Sequence, residues 1–581
     1  MLLGTVSCKK DFLEKPSTTG TTTIETTFSN TVNATAAVAA AYNSCLIQGL
    51  PYSGLGHGTV ASLAGEFSWG YNWHATYMIV NNGQNANPNA DGSTSDDDFN
   101  ANYSDIRQAY LVYENIDKVT DMDAATKNNV KGEMLGLIAY RYMGLFIRYG
   151  GMPVATKSLT SSDDLNLPRV PLQELEDTIL SLCDQAEALL PDSWSAQYAG
   201  RLTKGIPLAI KARTLAYAAR PLFNSASPFL SLGDNNNLIC FGSADQQRWQ
   251  DVITACNAAI GWATSHGYNL INTGGGTDVP NANAFDDYGT ATSTPNNPEV
   301  LLAYKQDDPT NGITKYFTIS KVYSNYNGEE YDMDNYGVET NFLENYYKAD
   351  GTDQTWPGQG SGNARPATEY FQKMGEMEPR FLADNKPYAV DALNNPGDQG
   401  WNSSNCDRGV NQNGGAGHGA CNSVKFHYHS GSRAWIEFPL FRMAEFYLEL
   451  AEAYNEIGNS AQALVNLNIV HNRAGLPSIT ETNQTALRSI IQREWAIEFY
   501  NENQRLFLVR HWKLSDIGNG LIGGPRRELQ FTTNGDPAIQ SNLLTYYDQV
   551  VFQAYWAPKM YLDPIPQSEI NKRILVQNPG Y

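Results

Sequence analysis

The sequence predicts a mainly α-helical protein in which helical hairpins form a scaffold and a large, irregular, loop-rich insertion carries short strands. Three observations predict it. Apolar residues recur at three- and four-residue spacing in four separate stretches, small alanines lie beside large aromatics within them, and this periodicity vanishes between Thr273 and Arg433.

The first stretch covers 103–149, where Leu135, Ile138, Tyr142 and Leu145 line one helix face and Gly150-Gly151-Met152-Pro153 ends the run. A helical pair follows over 172–190 and 205–219, separated by the Pro191-Asp192-Ser193 turn and closed by Pro221. A third segment spans 249–263. In the fourth, Leu440, Ala444, Tyr447, Ala451 and Tyr454 share a face, Gly458-Asn459 turns the chain, and 461–472 returns. Hairpins of about 34 residues in which alanine faces an aromatic are how tetratricopeptide pairs bring two helices close. The scaffold is thus expected over roughly 103–265 and 436–515, with a loop-rich half over 273–435 and a C-terminal segment over 545–581. Within the loop-rich half, 300–304 and 424–428 read as strands.

Lys and Arg number 40 against 61 for Asp and Glu, a formal charge of -21 that repels phosphate backbones and anionic headgroups alike. Nucleic acid is therefore excluded as a partner. No run of about eighteen apolar residues occurs, so no transmembrane helix is expected. Residues 1–8 read as the tail of a secretory signal ending in small residues before Cys8, where lipid attachment is expected; a plain thiol is the alternative. Thr5 stands where bacterial lipoboxes carry Leu. Residues 9–33, polar and Thr-rich, then read as a flexible tether for a single body over 34–581.

Cys183 and Cys256 lie on apolar helix faces and read as core. Cys406 and Cys421 bracket a Gly/Asn-rich loop and are candidates for a disulfide that would restrict it. No close Cys-x-x-Cys spacing suggests a metal bound through sulfur.

Three ordered motifs carry a family resemblance. The first is Phe441-Arg442-Met443-Ala444-Glu445 through Ala451-Glu452-Ala453, continuing to Leu467-Asn468-Ile469-Val470-His471-Asn472-Arg473-Ala474-Gly475-Leu476-Pro477. The second is Ile490-Ile491-Gln492-Arg493-Glu494-Trp495-Ala496-Ile497-Glu498-Phe499, reaching Arg505 and Arg510-His511-Trp512. The third is Leu562-Asp563-Pro564-Ile565-Pro566 with Gln577-Asn578-Pro579-Gly580-Tyr581. Together with Gly132-Glu133, Arg141-Tyr142 and Tyr149-Gly150-Gly151-Met152-Pro153, they make the chain similar to the SusD/RagB family of outer-membrane nutrient-binding lipoproteins. The chain departs from the family pattern at Asn503 and Leu508, where Gly and Asp are common, and at Trp495, where Arg is usual.

The resemblance implies a monomeric, cell-surface, lipid-anchored protein of the outer membrane that captures glycan and delivers it to a SusC-like TonB-dependent transporter, without catalysis. Peptide capture of the RagB type and a helical-repeat glycoside hydrolase are the alternatives. The resemblance also implies that ligand is held by aromatics from an early loop and from the irregular half.

In the early loop Trp69, Tyr71, Asn72, Trp73 and His74 concentrate rings and hydrogen-bonding groups, which suits a sugar's apolar C–H face and its hydroxyl edge. Packing in the core is the rival reading. Tyr323, Tyr326, Tyr331 and Trp356 are the counterparts from the irregular half, with Arg433 and Trp435 beside them. Glu494, Glu498 and Glu502, four residues apart with Arg505 beyond, project from one helix face and so cannot flank a sugar from two sides; they read as ion-paired. His427 and His429 alternate as metal ligands would but lack an obvious third partner. Asp91 and Asp96-Asp97-Asp98 could hold calcium but lack EF-hand spacing, and a solvated acidic loop is the simpler reading. No resident cofactor is expected.

Overall fold

The computed structural model describes residues 23–47, 60–68, 75–87, 99–276, 278–306, 323–326, 329–332, 337–387, 419–423, 425–426, 436–515, 518–535 and 540–581. Helices α1 (Thr31–Ile47), α2 (Phe99–Asn115), α3 (Ala124–Tyr149), α4 (Leu172–Leu189), α5 (Gly205–Ala219) and α6 (Gln247–Ser265) form the first part of the scaffold. In α3, residues 132–143 are all buried, and the helix is the axis on which α2, α4 and α5 pack. Asp123 starts α3 by accepting the Thr126 amide at 2.9 Å, and Gly150 stops it with a left-handed φ of 83°. The expected 103–149 stretch is therefore two helices, broken by a 3₁₀ turn over Ile116–Lys118.

After α7 (Ala284–Ser293) comes strand β1 (Val300–Gln306), then a short hairpin of β2 (Tyr323–Tyr326) and β3 (Glu329–Asp332), helices α8 (Ala367–Gly375) and α9 (Pro379–Asp384), and strand β4 (Ile436–Arg442). β4 pairs antiparallel with β1, Glu437 facing Lys305. Leu440 thus belongs to a strand and not to the helical stripe expected of it. The helix starts three residues later as α10 (Met443–Glu456), and α11 (Ser460–Arg473), α12 (Gln484–Glu498) and α13 (Arg505–His511) follow. The chain closes with the antiparallel strands β5 (Gly524–Thr533) and β6 (Leu543–Ala554). No helix among the described residues is long and apolar enough to cross a membrane.

Three further departures from expectation have physical causes. The loop-rich half contains α7, α8 and α9, of ten residues or fewer, too short to show a helical period. Of the run 424–428 only Lys425 and Phe426 lie among the described residues, and they turn the chain, Phe426 at φ 73°, after the short pairing of Asn422–Ser423 with Asn385–Lys386. The expected tether is structured from residue 23 on, because Thr23 caps a helical turn over Ile24–Thr27, Phe28 is buried, and Thr31 donates its amide to Asp121 at 2.8 Å.

Buried ion pairs cross the helical interfaces. On α10, Glu445 meets Arg213 of α5 at 2.5 Å and Glu452 meets Arg220 at 3.0 Å, while Glu449 accepts from the Cys256 thiol of α6 at 3.2 Å. The C-terminus is tied to the end of α3. Asp563 accepts from Arg510 at 2.9 Å and Gln84 at 2.6 Å, and Asn578 bonds the Tyr149 carbonyl, the Asp563 carbonyl and Arg169.

Candidate functional site

A second, smaller apolar cluster sits apart from the helical core, built on Phe67, Val338, Phe342, Tyr346, Tyr370, Phe381, Cys421 and Tyr500. Phe342 stacks on Tyr500 at 5.0 Å, and Phe67 tilts against the same ring at 5.3 Å. At its edge three chain segments cross. Phe67 and Val338 form an antiparallel bridge; the Ser68 amide donates to the Gly337 carbonyl at 2.9 Å and the Glu339 amide to the Glu66 carbonyl at 3.2 Å. On the other side the Val338 amide donates to Cys421 at 3.1 Å and the Ala420 amide donates back to Val338 at 2.5 Å. Gly419 makes this approach possible: its φ is 106°, and a Cβ there would lie 2.5 Å from the Gly337 carbonyl carbon.

This crossing joins the last residues before 69–74, the chain just after β3, and Ala420-Cys421, within the stretch that leads from α9 to β4. Trp69, Tyr71, Asn72, Trp73, His74, Arg433 and Trp435 lie outside the described residues, as do Cys8, Cys406, Asp91, Asp96-Asp97-Asp98, His427 and His429. Tyr323, Tyr326 and Tyr331 fall on the β2–β3 hairpin, Tyr323 opposite Asp332 and Tyr331 opposite Ser324. Trp356 packs half-buried against the cluster that holds Phe67 and Cys421, and its buried indole N–H finds no partner among the described residues. Cys421 is buried in that cluster.

The crossing rests on a buried block of charge. Glu494 accepts from Arg380 at 2.6 Å with His471 Nδ1 at 2.9 Å. Glu498 is met by Arg442 at 2.6 Å, Arg380 at 3.0 Å and Arg473; Glu502 is met by Arg442 at 2.8 Å and Lys425 at 2.7 Å. Glu299 takes the remaining edges of Arg442 and Arg473. Burial alone would raise Glu494 and Glu498, but Arg380 and His471 hold Glu494 down at about 2, and Arg473, Arg442 and Arg380 hold Glu498 lower still. The three glutamates are therefore ion-paired, their oxygens taken up by Arg380, Arg442, Arg473, Lys425 and the His471 imidazole. Arg505 is not one of their partners: it donates to the Ala64 carbonyl at 3.2 Å and lies over Phe342. Sequence spacing brings Arg505 close in the chain, whereas the true partners come from segments as far as 118 positions away, which no local pattern reports.

Three other buried carboxyls ring the crossing with a different balance. Burial raises Glu66, Glu339 and Asp384 each to about 7, and the nearby Arg505, Arg526 and Lys425 offset only part of it. Lys425, itself buried, donates to Tyr288 at 2.9 Å as well as to Glu502, and so pins the returning chain to α7 and the end of α12. Among the described residues no group of three or more His, Cys, Asp or Glu is placed to hold a metal.

Solved structures of similar shape fit this architecture. The chain matches a SusD-like protein of Bacteroides fragilis NCTC 9343 with TM-score 0.75 and 23% identity, over 96% of this chain and 98% of that one. A SusD-like carbohydrate-binding protein from the same organism matches with TM-score 0.67 and 18% identity, over 94% and 99%. A laminarin-binding SusD-like protein matches with TM-score 0.54 and 19% identity, over 95% and 100%. No curated protein matches the sequence. Residues 11–215 match a family described as starch-binding and associating with the outer membrane, and residues 298–581 match the SusD family. With both parts of the chain matched to SusD-type families and the fold shared end to end, this chain belongs to the SusD family.

Proposed function

We propose that this protein is a lipid-anchored capture protein of the cell surface that holds an oligosaccharide by aromatic stacking and hydrogen bonds, cleaves nothing, and passes its ligand to a SusC-like TonB-dependent transporter docked on the helical half. The observation that carries the reading is the three-segment crossing: the aromatic segment 69–74 starts one residue beyond a bridge that also binds the loop-rich half, so rings from both would share one rigid base. Capture without cleavage is supported by the engagement of Glu494, Glu498 and Glu502 in buried ion pairs, which leaves that carboxylate row no role toward a sugar. Glycan as the ligand class is supported by family membership and by the ring-and-amide chemistry of 69–74, and attachment at Cys8 by the small residues before it.

Calorimetry of the purified chain against panels of neutral oligosaccharides and peptides tests the reading. Trp69→Ala and Trp73→Ala are each expected to weaken glycan binding by about tenfold, the loss of roughly 1.4 kcal/mol of stacking. Unchanged affinity in both variants refutes the platform, binding of peptides alone makes the protein a peptide-capture protein, and release of reducing sugar makes it a hydrolase.

A further inference from the structure

A groove on the helical half, away from the crossing, has the chemistry of a second ligand site. The connector between α4 and α5 folds a 3₁₀ turn over Ala196–Tyr198 and then runs past Gly200 and Arg201 beside β1. On either side of Gly200-Arg201 lies an open well. One, of about 330 Å³, is walled by Tyr42, Tyr198 and Tyr304; the other, of about 260 Å³, is walled by Trp194, Tyr268 and Asn296. Gly200, Arg201, Ala303 and Lys305 line both, so the wells are two ends of one groove.

The walls are held rigidly. Arg201 lies over the Trp194 ring at 4.3 Å and the Tyr198 ring at 5.3 Å, and is fixed by Glu133 at 2.6 Å from its Nε. Tyr42 donates to the same Glu133 at 2.5 Å and accepts the Leu202 amide at 2.9 Å; Tyr304 donates to Asn43 at 3.0 Å. The Lys305 stem crosses Gly200, where a Cβ would lie 2.9 Å from its Cε, and its ammonium is held by Glu437 at 2.6 Å and Asn296 at 2.7 Å. Tyr198 remains 40% exposed despite its ring contacts.

The charges of this groove are paired, Arg201 with Glu133, Lys305 with Glu437 and Asp192 with Lys204, so it offers an ionic ligand no surplus charge. What it offers is the exposed Tyr198 ring with its hydroxyl in one well and the Asn296 side-chain amide in the other, the combination that suits a ring with an apolar face and a polar edge. Pre-organised walls also reduce the ordering cost that weakens binding to mobile side chains. We infer that this groove is a second saccharide-binding site, for a short run of a neutral glycan, separate from the site at the crossing. The two rest on different parts of the fold, since Tyr304 belongs to the helical core and Phe67 and Trp356 to the second cluster. The inference rests on the reading of the ligand as a glycan.

Calorimetry with neutral oligosaccharides, on the full chain and on the double variant Trp69→Ala/Trp73→Ala, isolates the groove. Residual glycan binding is expected in the double variant; adding Tyr198→Ala should weaken that residue of binding at least fivefold, and Tyr198→Phe, which keeps the ring, should leave it within twofold. Asn296→Ala, on the opposite wall, is expected to weaken it as well. The inference is overturned if the double variant binds nothing, if its residual binding ignores Tyr198→Ala and Asn296→Ala, or if the groove variants change only peptide binding. Loss of binding on Tyr198→Ala alone, with Trp69→Ala and Trp73→Ala silent, would sustain the groove and refute the platform at the crossing. A parent chain that binds no glycan refutes both.

Discussion

Glu498 shows how far a single side chain can be determined by its surroundings. Three arginines converge on it, and burying such a group is tolerable only while all of them stay. Arg442→Met leaves Glu498 and Glu502 short of a partner and is expected to cost about 3–5 kcal/mol in a guanidinium unfolding curve. The pH response has two parts of opposite sign. Glu494, held at about 2 against roughly 4.3 when unfolded, contributes stability above the unfolded value that is lost as pH falls from about 4 toward 2. Glu66, Glu339 and Asp384, raised to about 7, contribute most below about 4 and lose that contribution as pH rises through 7. Stability is therefore expected to decline between about pH 4 and pH 7, and Glu66→Gln with Asp384→Asn should flatten that slope; an unchanged slope would show that these carboxyls are already ionised. The ion-paired state of Glu494 and Glu498 was legible from their spacing, because neighbours on one helix face cannot oppose each other across a ligand; Glu502, expected on the same face, lies in the turn beyond the end of α12 and joins the block through Arg442 and Lys425. Their partners were not legible, since Arg380, Lys425 and Arg442 arrive from distant segments. Asn503 adopts a left-handed φ of 61°, which explains why Asn can stand where glycine is common in the family.

At the scale of elements, legibility followed length and amphipathicity. α4, α5 and α11 lie within a residue or two of their expected bounds: α4 and α11 bury one face and present the other to water, and α5, buried or half-buried all round, is delimited by the turn at Pro191-Asp192-Ser193 and by Pro221. The short helices α7, α8 and α9 were hidden by brevity. The β5–β6 pair left a readable trace in its β-branched and aromatic residues and in Asn534-Gly535, a turn signal between two runs of them. The crossing of 66–68, 337–339 and 420–421 left none, because bridges of one or two residues have no period. Gly419 is its most sensitive point. Gly419→Ala forces a Cβ against Gly337, and the expected outcome is faster amide exchange at Val338 and Glu339 with weaker glycan binding, while exchange within α3 and α5 stays as it was. Equal protection at Val338 would mean that the backbone yields there without cost.

At the scale of the whole molecule, the two halves were anticipated but their means of attachment was not. The last residues close the structure from the side of α3: Asn578 bonds two carbonyls and Arg169, and Asp563 pairs with Arg510. Deleting residues 578–581 removes bonds from buried carbonyls and is expected to cost about 2–3 kcal/mol, read as a lower melting temperature with helical content retained. The motif containing Asp563 and Asn578 was visible in the sequence as a family signature, yet its physical task, fastening the chain end to the central helix, required coordinates.

The crossing has a further consequence, in evolutionary terms. Its hydrogen bonds run almost wholly through backbone amides and carbonyls, which are indifferent to side-chain identity, and the segment that follows it, 69–74, carries the rings proposed above to hold ligand. Mutation can therefore replace the contents of that segment without touching the bonds at its start. Solved structures that share only 18–23% of their residues with this chain, yet keep its shape at TM-scores of 0.67–0.75, have the divergence such an arrangement permits.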